Sequence, residues 1–136
     1  MNFRKLELKD YINFIELIND FRITNFTLNQ FANFISQEKN TIIYVLEDNK
    51  KLYASGTIIF EKKFIHNFSI YSHIEDIIVK KEYQGKGLGK ILLEKLIKIC
   101  KKEKVFKILL DCETKLIPFY EKCGFIDKGH QMVIYI

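Results

Sequence analysis

The segment EYQGKGLGK, residues 82–90, carries three of the six glycines in the 136-residue chain, directly before an apolar run with helical periodicity. Its glycines and lysines are Gly85, Lys86, Gly87, Gly89 and Lys90. Glycine lets a backbone turn tightly and approach a ligand, and the first turn of a helix exposes unpaired N–H groups at the positive end of its dipole. The segment therefore predicts a loop that binds phosphate oxygens, with a plain turn as the alternative. It matches neither the dinucleotide pattern G-x-G-x-x-G nor the P-loop pattern.

Three carboxylates lie in or at the end of apolar runs that predict strands. Glu75 and Asp76 interrupt HIEDIIV, residues 73–79, and Asp111 ends FKILLD, residues 106–111. Burial in an apolar strand penalises a charge unless it is paired, so these carboxylates are candidates for function as well as for a structural ion pair. A carboxylate in such a place can accept a proton from a substrate or hold a polar group.

The other reactive side chains give weaker signals. Tyr120 lies in IPFYEKCG, residues 117–124, which predicts a helix ended by Gly124, and a tyrosine there is by itself a core or rim residue. The three cysteines have no C-x-x-C spacing, and no His, Cys and Asp residues are spaced for a metal ion. Neither a disulfide framework nor a metal site is predicted.

The elements that must position these groups follow from hydrophobic periodicity. Thr27 and Gln30 form a capping-box pattern at the start of the second helix. Helices are predicted over residues 8–21, 27–37, 89–104 and 117–124. Strands are predicted as a hairpin over residues 41–60, two short central strands at 73–79 and 106–111, and a final strand at 131–136. This order predicts an α/β (α+β) domain built around a mixed sheet.

The formal net charge of +5 favours an anionic partner, which could be a nucleic acid, a membrane surface or a phosphorylated small molecule. A nucleic-acid module would need clustered arginines and exposed aromatics, whereas the phenylalanines here occupy apolar periodic positions and arginines are few. The first residues carry charges where a signal peptide would be apolar, and no eighteen apolar residues run together. We therefore expect a single domain, residues 1–136, in the cytoplasm, with no nucleic-acid or membrane partner.

Two longer stretches, IEDIIVKKEYQGKGLGKILLEKL and KILLDCETKLIPFYEKCGF, resemble the GNAT acyltransferase family. The acetyl-CoA loop of that family has the pattern Q/R-x-x-G-x-G/A, which Gln84, Gly87 and Gly89 satisfy. The resemblance runs from about Ser55 to Met132. It is strongest for the members that acetylate glucosamine 6-phosphate. It implies the GNAT fold: a mixed, mostly antiparallel sheet with a splayed central pair of parallel strands, flanked by helices.

The resemblance also implies an activity and partners. Family members transfer the acetyl group of acetyl-CoA by direct attack of a neutral amine on the thioester, without a metal and without a covalent enzyme intermediate. The resemblance therefore implies that Cys112, next to Asp111, is a packing residue and not a nucleophile. The implied acceptor is the amine of glucosamine 6-phosphate, a sugar phosphate on the route to UDP-N-acetylglucosamine. A protein lysine, a protein N-terminus or a polyamine is the alternative acceptor. The implied assembly is a homodimer, with the C-terminal strand exchanged or packed across the interface.

The residues that the resemblance implies for the site fall into three groups. The strand before the loop would pair with the pantetheine arm and the loop would hold the pyrophosphate, which gives an acetyl-CoA set of Ile77, Ile78, Val79, Gln84, Gly85, Lys86, Gly87, Leu88, Gly89, Lys90 and Tyr120. Tyr120 is the implied acid for the departing thiolate, and Glu75 and Asp111 are candidate bases. The backbone N–H of Ile78 is the implied oxyanion donor. The implied sugar-phosphate set is Lys63, His66, Glu75, Asp76, Lys107 and Asp111.

Two parts of the chain depart from the family pattern. Leu116 stands where the family usually has an asparagine that helps to hold the cofactor. Ile134 and Tyr135 stand where the family commonly has an Arg or Lys that reaches the sugar phosphate across the dimer, and Lys107 is a candidate to compensate. Residues 1–40 match the family weakly and leave the remaining sugar contacts unassigned.

Overall fold

The computed structural model describes the whole chain, Met1–Ile136, as a five-stranded sheet with helices on both faces. The strand order is β1-β2-β3-β4-β5; the first four strands are antiparallel and β5 is parallel to β4. The strands are β1 (Asn2–Lys5), β2 (Thr41–Asp48), β3 (Lys51–Lys62), β4 (Ile70–Val79) and β5 (Lys107–Leu109). The helices are α1 (Tyr11–Phe21), α2 (Leu28–Gln37), the single turn α3 (Ile65–Phe68), α4 (Leu88–Lys102) and α5 (Ile117–Lys122). The predicted mixed, mostly antiparallel sheet is confirmed. No helix combines the length and the apolar content needed to cross a membrane.

The start of α2, the turn between β2 and β3 and the end of α5 lie where the local sequence predicts them. At the start of α2, Thr27 Oγ1 accepts a hydrogen bond from the Gln30 amide (3.1 Å), and Gln30 Oε1 accepts one from the Thr27 amide (2.9 Å). The hairpin between β2 and β3 turns at Asn49 and Lys50, whose φ angles of 49° and 64° match the twist of the flanking strands. Gly124, with a φ of 97°, follows the end of α5.

The sheet separates two cores. In β2, Val45 packs with α1 and α2 on one face, whereas Tyr44 and Leu46 pack with α4 on the other. The buried residues of α4 recur with helical spacing and form one face of the helix: Leu92, Leu93, Leu96 and Cys100. Because β3 and β4 are packed from both sides, they form a rigid support for the groups at their ends.

The two ends of the chain differ from the sequence prediction. Strand β1 is missing from that prediction because Asn2–Lys5 is short and has only one apolar residue, Phe3; its pairing with β2 makes it a strand. The predicted final strand is wrong: residues 131–136 form no strand, and Met132 and Ile134 are 94% and 85% exposed. A β-rich composition favours extended backbone, but a strand forms only where a partner edge is brought to it, and this segment lies off the sheet.

The position of β5 also differs from the prediction. Because the C-terminal segment does not join the sheet, β5 is its outer strand and not a central one. Lys107 is exposed and Ile108 and Leu109 are only half-buried, so the prediction that residues 106–111 are buried on both faces is wrong for a single chain. The edge of β5 therefore remains open to another strand.

A buried ion pair ties β1 to the start of α1. Arg4 donates two hydrogen bonds to the Asp10 carboxylate, at 2.7 and 3.0 Å, and the Glu7 amide donates a third at 2.8 Å. Burial favours the neutral acid, but the bonds from Arg4 and Glu7 outweigh it and lower the pKa of Asp10. The ion pair therefore contributes its full stabilisation at pH values above the ordinary aspartate pKa of about 3.9. This stabilisation is lost as the pH falls through the lower pKa that Asp10 has in the folded protein.

We expect Arg4→Ala to lower the free energy of unfolding by about 3 kcal/mol, because it leaves the buried Asp10 charge without its main partner. Urea unfolding at neutral pH measures this loss. Lys9→Ala is the control, since Lys9 is exposed and pairs only with exposed Glu7, and it should change stability by less than about 0.5 kcal/mol. Equal losses in the two variants would show that the Arg4–Asp10 pair contributes nothing.

Candidate active site

A β-bulge in β4 places the two neighbouring carboxylates. The register between β3 and β4 shifts between Ser55 and Thr57, so that Asp76 and Ile77 together face the single residue Gly56. Asp76 has a φ of 50°, in the left-handed region that residues other than glycine rarely adopt. Backbone strain of this kind persists only where the surrounding structure holds it, and it is common at functional sites.

The bulge changes the faces on which the β4 side chains lie. In a regular strand Ile74 and Ile78 would share a face. Here Ile74 and Ile77 pack in the α4 core, whereas Ile78 packs in the α1–α2 core. Asp76 lines a cavity of about 600 Å³ between α1, α2 and the sheet, the α1–α2 cavity. Glu75 lines a second cavity of about 460 Å³, the Glu75 cavity.

Glycine is required opposite the bulge because α4 approaches the sheet closely there. A Cβ at Gly56 would lie 2.7 Å from Leu96 Cδ1 and 2.8 Å from Ile77 Cδ1, closer than carbon atoms pack. Gly56 therefore lets the bulge and α4 coexist.

The parallel strands separate immediately before the bulge. Strand β5 pairs with β4 only from Tyr71 to His73, opposite Lys107 to Leu109. Strand β4 continues to Val79, so its edge has no strand neighbour over residues 74–79 on the β5 side. An extended ligand could pair with this edge through backbone hydrogen bonds.

A row of unpaired amides lies at the end of this edge. Gly85 and Gly87 have φ angles of 77° and 84°, and Gly87 is the N-cap of α4. No N–H of residues 85–90 donates a hydrogen bond within the chain. The Gln84 side chain donates to the Val79 carbonyl (3.1 Å), which ties the loop to the end of β4. The predicted anion-binding loop thus has its donors free and close to the open edge.

The charges of two predicted carboxylates, Asp76 and Asp111, act on the third, Glu75. Burial, followed by the charges of Asp111 and Asp76, raises the pKa of Glu75. Asp111 is exposed and lies beyond the end of β5, in the loop and not at the strand end that the sequence predicts. Its Oδ2 accepts a hydrogen bond from the Gln131 side chain (3.0 Å). A carboxylate with a raised pKa beside an open edge is a candidate general base.

Tyr120 is held by the packing of α5 and the turn after it. Its ring lies 5.0 Å from Phe119 and 6.0 Å from Phe125, both in edge-on geometry. Burial, followed by the nearby Cys112 and Cys123 thiols, raises the pKa of Tyr120, so the phenol keeps its proton at neutral pH. Cys112 itself is exposed, so the prediction that it packs is wrong; it follows the outer strand β5 and no element covers it.

The comparison of the whole sequence with protein families decides between the possible uses of such a site. Residues 4–125 match the acetyltransferase (GNAT) family. The chain belongs to the GNAT acetyltransferase family. The sheet with its parallel β4–β5 pair is accordingly the GNAT fold.

Relatives within the GNAT family align over almost the whole chain. The glucosamine 6-phosphate N-acetyltransferase of Arabidopsis thaliana is 36% identical over 140 residues, covering 97% of this chain and 94% of the relative. Glucosamine 6-phosphate N-acetyltransferase 1 of Dictyostelium discoideum is 37% identical over 143 residues, covering 100% of this chain and 91% of the relative. The crystal structure of the Arabidopsis thaliana enzyme has a TM-score of 0.89 at 37% identity, covering 98% of this chain and 97% of that one.

GNAT acetyltransferases use acetyl-CoA as co-substrate, and this chain is an acyltransferase of that kind. Acetyl-CoA supplies the reaction with an acetyl thioester. The open edge over residues 74–79 and the free amides of residues 85–90 fit its amide-containing arm and its diphosphate. No group of His, Cys, Asp or Glu residues is arranged to hold a metal ion.

Gly87→Ala should weaken acetyl-CoA binding about 5- to 30-fold, because a Cβ is unfavourable in the left-handed conformation that aligns the loop amides. No atom lies within 4 Å of the added carbon, so steric clash does not contribute. Calorimetric titration with acetyl-CoA measures the change. Gly129→Ala is the matched control, since Gly129 also has a positive φ and open space but lies outside the loop. An unchanged dissociation constant for Gly87→Ala would contradict the loop's role.

The structure gathers three predicted ligands of the sugar phosphate, two lysines and a histidine, around one aromatic ring. Lys63 Nζ and Lys107 Nζ lie 5.3 and 4.9 Å from the centroid of the Tyr71 ring, and the His66 ring lies 6.2 Å from it. None of the three lines the α1–α2 cavity or the Glu75 cavity. Lys63 is linked to the Glu75 cavity indirectly: its Nζ lies 3.3 Å from Glu61 Oε1, and Glu61 lines that cavity.

Sequence reasoning missed several polar residues of the two cavities. His73 Nε2 lies 3.1 Å from Glu61 Oε1, and both residues line the Glu75 cavity. Strand alternation places His73 on the face of Glu75 and could have identified it. Arg22 lines the α1–α2 cavity with Asp76, and no sequence pattern connects these two positions.

Proposed function

We propose that this chain transfers the acetyl group of acetyl-CoA to the amine of glucosamine 6-phosphate, on the route to UDP-N-acetylglucosamine. The products are N-acetylglucosamine 6-phosphate and coenzyme A. Relatives of that activity align over almost the full length of both chains. The observation that carries the proposal is the bulge, because it puts the Asp76 carboxylate into a cavity next to Glu75 at the open edge of β4. Adjacent carboxylates suit an acceptor with an amine and several hydroxyl groups.

Glu75 is the proposed proton acceptor. An amine attacks a thioester only in its neutral form, so the site must take up the ammonium proton. The raised pKa of Glu75 brings this carboxylate closer to neutral pH, where it accepts a proton more effectively. In this proposal Glu75 takes the proton directly or through a water molecule, while Asp76 and Asp111 hold the amine and the hydroxyl groups of the sugar.

Tyr120 and the backbone of β4 are proposed to stabilise the other charges. Negative charge develops on the thioester oxygen during attack, and the N–H of Ile78 is the proposed donor to it. The thiolate of coenzyme A then leaves, and the phenol of Tyr120 is the proposed source of its proton. Because the raised pKa keeps the phenol protonated before the reaction, its O–H is present to hydrogen-bond to the departing thiolate and to transfer its proton as the thiolate forms.

We also propose that two copies of the chain form the working enzyme. The C-terminal segment 132–136 is apolar and exposed, with Tyr135 at 92%, and the outer edge of β5 has no partner. Covering that edge with the segment of a second copy would bury both. The side chains of Lys63, His66 and Lys107 around Tyr71 would then be available to a sugar phosphate bound by the other copy.

Thiol release from acetyl-CoA with a panel of amines tests the activity. The proposal expects rapid release with glucosamine 6-phosphate and slow release with unphosphorylated glucosamine. Release only with peptides or polyamines would assign the enzyme to another amine acceptor. Absence of release with every amine would contradict the proposed activity altogether.

A further inference from the structure

The α1–α2 cavity has a mostly apolar lining and two charged residues. Its volume of about 600 Å³ is in the range of small-molecule sites. Phenylalanines of α1 and α2, among them Phe14 and Phe31, form much of its wall. Arg22 is the only cation in the lining, and Asp76 is the only carboxylate.

Neither charge is neutralised by the protein. Asp76 has no ion-pair or hydrogen-bond partner for its side chain, and the same holds for the Arg22 guanidinium, whose nearest aromatic ring is that of Phe21 at 6.0 Å. The two residues line one cavity without forming a salt bridge with each other. A cavity with separated, unpaired charges complements a ligand that carries a cationic or hydroxyl group at one end and an anion at the other.

A structural role at the end of α1 does not account for this placement. Arg22 is the C-cap residue of that helix, where a positive charge interacts favourably with the dipole. That interaction does not require a particular direction of the side chain, and the Arg22 side chain, which is exposed like that of Asp76, lines the cavity that contains Asp76. The other predicted ligands of the phosphate, Lys63, His66 and Lys107, do not line this cavity.

We infer that Arg22 binds the phosphate group of the acceptor, with the polar groups of the sugar held by Asp76. This inference rests on the proposed function and adds to it a phosphate ligand from the same chain. A guanidinium suits the role because its planar fork donates two parallel hydrogen bonds to phosphate oxygens. Arg22 would supply charge that the C-terminus, with Ile134 and Tyr135, does not provide.

The test compares steady-state kinetics of the full chain and its Arg22→Gln variant with glucosamine 6-phosphate and with glucosamine. We expect the variant to raise KM for glucosamine 6-phosphate about 10- to 100-fold and to leave kcat/KM for glucosamine unchanged, because only the phosphate contact is lost. KM for acetyl-CoA should also stay the same. Arg22→Lys should recover part of the loss, since it restores the charge without the fork.

Lys101→Gln is the control, because Lys101 is an exposed residue of α4 on the opposite face of the sheet. Lys101→Gln should leave KM for glucosamine 6-phosphate, kcat/KM for glucosamine and KM for acetyl-CoA unchanged. The thermal unfolding temperature should be the same for wild type and Arg22→Gln. An Arg22→Gln enzyme with unaltered KM for glucosamine 6-phosphate, or with equal losses for both sugars, would overturn the inference. A wild-type enzyme that does not acetylate glucosamine 6-phosphate would instead overturn the proposed function.

Discussion

Replacing Tyr120 with Phe is expected to lower kcat about 100-fold or more while leaving the affinity for acetyl-CoA unchanged. The substitution removes only the hydroxyl group, so the edge-on contacts with Phe119 and Phe125 remain. If Tyr120 gives its proton to the departing thiolate, the loss falls on the chemical step and not on binding. Steady-state kinetics with acetyl-CoA and calorimetric titration separate the two effects.

The matched control is Tyr44→Phe. Tyr44 is a buried tyrosine of β2 that stacks on Phe3 in the α4 core, and its hydroxyl makes no hydrogen bond. It should keep wild-type kcat. A Tyr120→Phe enzyme with normal kcat and weakened acetyl-CoA binding would show that the tyrosine only packs against the cofactor.

Glu75→Gln is the second substitution with a large expected effect, a loss of about 100-fold or more in kcat at neutral pH. Glutamine keeps the size and shape of the side chain and one acceptor oxygen, but it carries no charge and cannot act as a base. Glu113→Gln is the control, because Glu113 is exposed and pairs only with Lys115. Equal activity of wild type and Glu75→Gln would transfer the role of base to another group.

The pH profile gives an independent measure of the same residue. Because the pKa of Glu75 is raised, its basic form is lost as the pH falls through a value above the ordinary glutamate pKa of about 4.3. Asp111→Asn removes one of the charges that raise this pKa, so it should move the acidic limb of kcat/KM to lower pH. Ionisation of the substrate is common to both enzymes, and the difference therefore reports on Glu75. An acidic limb at the same pH in both would contradict the coupling.

The parts of the fold that local sequence encodes agree with the structure. The capping box of α2, the hairpin turn at Asn49 and Lys50, and the glycine loop before α4 depend on residues close together in the chain. Their conformations follow from backbone preferences and short-range hydrogen bonds, which a single sequence displays directly.

Features that depend on distant partners could not be predicted in this way. The bulge at Asp76 exists because β4 shifts its register against β3 at Gly56, and no local pattern in HIEDIIV reveals that shift. The C-terminal segment has the composition of a strand, but whether it pairs depends on an edge elsewhere. Arg22 and Asp76 line the same cavity only because α1 packs across the sheet.

The central claim is that the free amides of residues 85–90 bind the diphosphate of coenzyme A, and amide NMR tests it most directly. Titrating the ¹⁵N-labelled protein with coenzyme A should shift the signals of Gly85, Gly87 and Gly89 strongly, as each N–H gains an acceptor. Pantetheine, which is the arm of coenzyme A without the diphosphate and nucleotide, should leave these three signals in place while it shifts the signals of residues 77–79. Saturation with coenzyme A that leaves the loop amides unshifted would contradict the account.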